Sequence, residues 1–242
     1  MPDYYRITEL GDSALLVEFE QSISTEINSK VHKLDHAVRQ NAGHLIEFTI
    51  PAYCSLAIGY DRGISTHDEV RIIIENTLQK LTLEAAVKTG KRYEIPVCFD
   101  DQFARDLERI TEHCELEWTE IKSILCGQDF HVFMIGFVAG FPYMGELPEQ
   151  IKTPRLEVPR KDVEKGSVAI AEKQCGIYPT TSPGGWNIVG RTPLPILSTD
   201  YRDPFLLHPA DQVRFTAIDM SEFHRIDTGL TKGKLRLSDF YG

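Results

Sequence analysis

Between Gly136 and Arg191 the chain strings together GFVAGFPYMGELP, TPRLEVPR, GSVAIAEKQCGIYP and TSPGGWNIVGRTP with almost nothing in between. No helix runs through such a stretch. Pro142, Pro148, Pro154, Pro159, Pro179, Pro183 and, just beyond, Pro193 each remove a backbone donor and fix φ, while the interspersed glycines permit tight turns and close backbone approach. Short strands joined by shaped loops remain. These carry Phe141, Tyr143, Arg155, Arg160, Gln174, Tyr178, Ser182, Trp186 and Arg191. Aromatic walls, guanidinium forks, a hydroxyl and an amide of this kind suit a small polar or carboxylated ligand. They equally suit a packed β core in which each arginine holds a loop carbonyl or a carboxylate.

The first ninety residues carry a different pattern. YRITEL and ALLVEF are short strands, and Ile23, Ile27, Val31, Leu34 and Val38 mark one face of a helix at spacings of three and four. HLIEFTI and CSLAIGYD form a second strand pair, ahead of a helix opened by a capping box from Thr66 to Glu69 and lined by Val70, Ile74, Thr77 and Leu81. Strand pairs alternating with helices predict an α+β sandwich of ferredoxin-like type over residues 1–92. Arg92 to Phe99 leaves as another strand, and the domain boundary is expected near Tyr93.

In residues 93–242, two short helices are expected around Phe103, Leu107 and Ile110 and around Ile121, Ile124 and Leu125, capping the strands that follow. HVFMIGF, GSVAIA, GIYPT, WNIVGRT and DQVRFTAI are strands, and their close spacing favours a closed β-barrel over an open sheet. Gly229 to Gly242 has no clear period and is left unassigned.

The missing motifs narrow the chemistry. No GxxxxGK[ST] run occurs, and Gly229 to Leu235 (GLTKGKL) is one residue short of it and reads as a flexible basic tail. Gly184-Gly185 is no dinucleotide fingerprint, and there is no GxSxG elbow. His32 and His36 share a helical face, but Lys33 stands where a zinc protease needs glutamate, so a solvated face is expected and no metal site. Asp100 and Asp101 suit a helix N-terminus better than acid–base chemistry. Cys54, Cys98, Cys114, Cys126 and Cys175 include no CxxC pair, which argues against a disulfide framework. Cys175 is either a nucleophile activated by a nearby cation or a bystander thiol. A formal net charge of −10 disfavours nucleic acid and anionic membranes as partners. Met1 to Leu10 is too polar for a signal peptide and no apolar run approaches the roughly 18 residues of a membrane span, which points to the cytoplasm.

GFxxGFPYxGxLP, TPRxxxPR and GIYPxxSPGGWxxxGRTP, in this order, resemble the 5-oxoprolinase B-subunit family. That family also takes in the kinase inhibitor KipI and the first-subunit domain of allophanate hydrolase and urea carboxylase. GDSALLVEF, IPAYCSLAIGYD, YEIPVCFDDQFARDLERI and DQVRFTAI extend the resemblance over nearly the whole chain. It implies a ferredoxin-like α/β domain followed by a cyclophilin-like β-barrel, working beside subunit-A-like and subunit-C-like proteins. The implied activity is ATP-dependent opening of 5-oxoproline to glutamate, with ATP, and Mg2+ alongside it, used in the assembled complex. The nine residues named above are the implied substrate contacts, and no catalytic residue is assigned. The alternative is a KipI-like inhibitor that binds a sensor histidine kinase without catalysis.

Four positions depart from the family pattern. Glu172 stands where a glycine is usual, Cys175 where a threonine is, Cys126 replaces the histidine of the family's LH pair, and Glu146 replaces the last glycine of GFPYLGG. All four are expected near the pocket. A thiol cannot exchange protons near neutral pH as imidazole does, and a new glutamate would repel a carboxylated substrate.

Overall fold

The computed structural model describes residues 4–81, 90–198 and 203–240. The chain divides into two compact units, Met1–Lys88 and Thr89–Gly242.

In the first unit, β1 (Tyr5–Glu9) and β2 (Ala14–Phe19) form a hairpin, α1 (Thr25–Ala42) crosses back, and β3 (Ile46–Pro51) and β4 (Ser55–Tyr60) form a second hairpin ahead of α2 (His67–Leu81). The antiparallel sheet has the order β1-β2-β4-β3. Its edge beside β2 is filled by the preceding strand rather than by one that follows α2. Ser24 caps α1 through its side chain, and α2 opens on the expected capping box, with the Thr66 N–H donating to Glu69 at 2.9 Å. Alternation aims Leu15, Val17, Phe19, Leu56, Ile58 and Tyr60 at one face. There they bury against Val31, Leu34 and Val38 of α1 and Val70 and Ile74 of α2.

The second unit is built on β5 (Arg92–Cys98), β6 (Asp129–Ile135), β7 (Pro142–Gly145), β9 (Ser167–Ala171), β10 (Gln174–Ile177), β12 (Asn187–Arg191) and β13 (Gln212–Ile218). These strands close into a barrel of order β10-β7-β6-β13-β5-β12-β9, which returns to β10. β5 and β13 pair in parallel and the remaining barrel pairs are antiparallel. This unit starts just ahead of β5, because the Lys91 N–H donates to buried Asp211 at 2.8 Å and Gly90 packs on the backbone of Ala210. Ile95, Val97, Val132, Met144, Val168, Ile170, Cys175, Ile177, Val189 and Val213 fill the interior. α3 (Leu107–Cys114) and α4 (Trp118–Cys126) add Ile110, Ile121 and Leu125 to that core. Phe103, expected on the first of these helices, lies in the turn before it. There Asp100 accepts from the Gln102 N–H, so this aspartate holds a turn.

Two further elements lie outside the barrel order. β8 (Arg160–Val163) and β11 (Ser182–Gly184) form a separate two-stranded ribbon. α5 (Met220–Thr231), capped by Asp219, follows β13. The reading of Gly229 to Leu235 as a flexible tail is therefore corrected: Gly229 is buried in the last turn of α5, and its carbonyl accepts from the Lys234 and Leu235 N–H groups. A helix C-terminus presents carbonyls, the opposite of a phosphate cradle.

Candidate functional site

The ribbon covers part of the outer face of the barrel, and an aromatic cluster lies between the two layers. Met144, Cys175 and Ile177 point inward, so alternation turns Tyr143, Gln174 and Gly176 outward. Ala169 and Ala171 of β9 and Ile188 of β12 share that outer layer with Phe141, Val163, Tyr178 and Trp186. Phe141, 2% exposed, is the hub. Its ring lies 5.0 Å from Tyr143, 5.1 Å from Tyr178 and 5.4 Å from Trp186, all edge-to-face, the orientation the ring quadrupoles favour. Close approach needs the glycines: a Cβ on Gly176 would fall 2.6 Å from Phe141, and one on Gly184 would fall 2.1 Å from the Tyr178 hydroxyl.

Two arginines border the cluster. Arg155 is exposed and its guanidinium lies 5.7 Å from the Trp186 ring centre, a cation–π contact. Arg160 is register partner to Gly184, which faces Tyr178, so Arg160 faces the same way. Its Nη2 donates to Asp106 at 2.5 Å, and Asp106, 6% exposed, also accepts from the Ile188 N–H at 2.6 Å. Burial raises the Tyr178 hydroxyl pKa, opposed by a hydrogen bond from the Trp186 backbone and by the charges of Arg155 and Arg160. Burial likewise raises Tyr143, opposed by Arg155. Both phenols are therefore neutral donors beside cationic groups. Ser182 is register partner to buried Val163, and its Oγ has no hydrogen-bond partner among the described residues, nor has Nη1 of Arg160.

Of the nine residues expected at the site, Phe141, Tyr143, Arg155, Arg160, Tyr178 and Trp186 meet in this cluster, Ser182 lies on the ribbon over it, and Gln174 shares the outward face of β10. Arg191 does not join them. It donates to Glu164 at 2.5 Å, sits 5.4 Å over the Phe103 ring and lines a separate cleft with Lys165, Pro193 and His224.

Of the four departures, Glu146 is exposed immediately after β7, and the other three lie away from the cluster. Cys175 points into the barrel core, fully buried, and burial raises its thiol pKa well above the ordinary value, so it is no activated nucleophile. Cys126 ends α4 and packs on the barrel core with the Ala217 backbone bonded to its sulfur. Glu172 is exposed at the tip of the β9–β10 hairpin, 4.0 Å from the Lys152 ammonium.

Sequence reading missed Asp106, Arg109 and Asn187. Arg109 donates to the Asn187 side chain at 3.0 Å, and that amide in turn donates to the Pro154 and Ile170 carbonyls. Helix α3 thus pins the TPRLEVPR segment and the start of β12 to the barrel. No local pattern could reveal this, since Asp106 and Arg160 are 54 residues apart.

The carboxyltransferase domain, subdomain C and D, matches residues 5–207 of the chain as a family profile. The 5-oxoprolinase B subunit of Bacillus subtilis (strain 168) is 33% identical over 230 residues, covering 91% of this chain and 95% of that protein. The chain belongs to this family. The 5-oxoprolinase B subunit of Escherichia coli O157:H7 is 39% identical over 208 residues, covering 85% of this chain and 93% of that one. The crystal structure of TTHA0988 superposes with a TM-score of 0.75 at 28% identity, over 85% of this chain but only 40% of that one.

Proposed function

We propose that the chain is a non-autonomous subunit of an ATP-dependent 5-oxoprolinase, which opens the lactam of 5-oxoproline to glutamate together with A-like and C-like partner subunits. The observation that carries this reading is the similarity to proteins named as the B subunit of 5-oxoprolinase along almost their full length. The 40% coverage of TTHA0988 supports partnership, since the matched fold there is part of a longer chain. On this reading the first unit is ferredoxin-like, with its edge strand supplied by the N-terminal hairpin, the second is a cyclophilin-like barrel, and the boundary lies near residue 92. No helix among the described residues is long and apolar enough to cross a membrane, and we place the complex in the cytoplasm.

The chemistry suits a site of this composition. A lactam resists water, but transfer of the ATP γ-phosphoryl to its carbonyl oxygen makes the ring carbon electrophilic. Water then adds at that carbon and the ring C–N bond breaks with a proton going to nitrogen, leaving an acyl phosphate that a second water hydrolyses to glutamate and phosphate. Arg155 and Arg160 hold anionic oxygens, Tyr143, Tyr178 and Trp186 wall the ring, and Ser182 and Gln174 orient it. Arg191 anchors Glu164 instead. ATP and any accompanying Mg2+ are assigned to the complex and not to this chain, whose nearest phosphate-binding look-alike is the C-terminus of α5.

The test is 5-oxoproline-dependent ATP hydrolysis by the purified chain alone and after addition of the partner subunits. The chain alone is expected to be silent and the mixture active. Turnover by the chain alone would sink the claim of partnership. A silent full mixture would overturn the enzymatic reading in favour of binding to a sensor histidine kinase.

A further inference from the structure

We propose that Asn187, steadied by Arg109, is a positioning residue for Arg155. The proposal rests on the reading that Arg155 holds an anionic oxygen of the reacting ligand, and it adds what keeps that arginine in place. Three consecutive residues leading into β12 meet three consecutive residues of the TPRLEVPR segment in antiparallel order. The Asn187 amide donates to the Pro154 carbonyl at 3.0 Å, the Trp186 ring centre lies 5.7 Å from the Arg155 guanidinium, and the Gly185 carbonyl accepts from the Leu156 N–H at 2.8 Å. The backbone is therefore tied on both sides of Arg155, and the Pro154 ring fixes φ just ahead of it. One residue further back, the Thr153 carbonyl accepts from the Glu172 N–H at 2.8 Å.

Asn187 is fully buried, and its orientation is set from α3. Arg109 can only donate, so its Nε, 3.0 Å away, draws the amide oxygen to its side and turns the amide nitrogen to the Pro154 and Ile170 carbonyls. Nη2 of Arg109 reaches the Pro154 carbonyl as well, at 3.4 Å. Arg155 itself is exposed, and among the described residues no carboxylate pairs with it, so its charge is left for a ligand. A long side chain of this kind stabilises charge effectively only where its base is held, because a misplacement of about 1 Å can cost roughly a hundredfold in rate.

The experiment uses the assembled complex and starts from Arg109, which is exposed and can be replaced without opening the barrel core. Arg109→Ala is expected to lower kcat for 5-oxoproline about fivefold or more. In an Arg155→Gln background the same substitution should change kcat by less than about twofold, because the group it positions is already gone. A merely structural role would lower activity equally in both backgrounds. Asn187→Asp keeps an acceptor for Arg109, loses the donors to Pro154 and Ile170, and should show the same dependence on Arg155. Should that buried carboxylate unfold the barrel, Arg109→Ala decides alone. Trp186 emission, read in a Trp118→Phe background, reports the arrangement without turnover: Arg155→Gln and Arg109→Ala should displace it in the same direction. Equal losses of kcat with and without Arg155, or emission that moves with Arg155→Gln but not with Arg109→Ala, overturns the proposal. A complex that turns over no 5-oxoproline while both substitutions displace the emission alike leaves the hold on Arg155 standing and removes the 5-oxoprolinase reading.

Discussion

Glu172 sits at φ 52, in the left-handed region, at the turn that joins β9 to β10. Side chains with a Cβ lose roughly 1–2 kcal/mol there, which accounts for the glycine usual in the family. Glu172→Gly is therefore expected to stabilise the barrel unit by about 1 kcal/mol, read as a higher midpoint in urea, with turnover unchanged because the side chain lies at the hairpin tip. A rise in turnover without a rise in stability would restore the expectation that this carboxylate repels substrate. Cys175 gives a prediction with a pH sign. Its folded-state pKa is raised by burial, so above the ordinary thiol value the unfolded chain binds fewer protons than the folded one. Stability should fall as pH rises beyond about 8.5, and the gap between wild type and Cys175→Ala should narrow there. A gap that stays constant to pH 10 would mean that the thiol is not shielded.

Elements explain which parts of the site could be read in advance. The Gly/Pro run from Gly136 to Trp186 is a local signal, and its aromatics and arginines converge because β7, β8, β10 and β11 follow one another closely in the chain. α1 and α2 were legible from apolar spacing and from the Thr66–Glu69 box. α5 was not, since its core contacts Phe223 and Ile226 are interleaved with polar residues and Gly229 closes the helix where a tail was expected. Arg191 was misplaced because the motif continues past Asn187 while β12 is bulged between Ile188 and Gly190, which carries its far end to Glu164 and Phe103. Cys126 was misplaced for a related reason: α4 packs on β13, and that contact leaves no trace in a family motif. Cys126→His is accordingly expected to cost about 1–3 kcal/mol by overpacking and to leave turnover per folded complex unaltered. Increased turnover on that substitution would place position 126 at the chemistry.

The whole molecule offers a barrel whose interior is closed by packed side chains, with its polar chemistry displayed on an outer face under a two-stranded ribbon. An outward site suits a subunit that shares its reaction with partners, and the edge-to-face aromatic hub and the Asp106 clamp supply the rigidity that positioning demands. Turnover of 5-oxoproline per assembled complex, compared for Arg155→Gln and Arg191→Lys, tests this most directly. A hydrogen bond to a charged group contributes about 1.5–3 kcal/mol, so Arg155→Gln should lower turnover at least tenfold with little change in melting temperature. Arg191→Lys should lower the melting temperature and keep turnover within about twofold. Loss of activity in Arg191→Lys with full activity in Arg155→Gln would contradict the assignment of the site to the outer-face cluster.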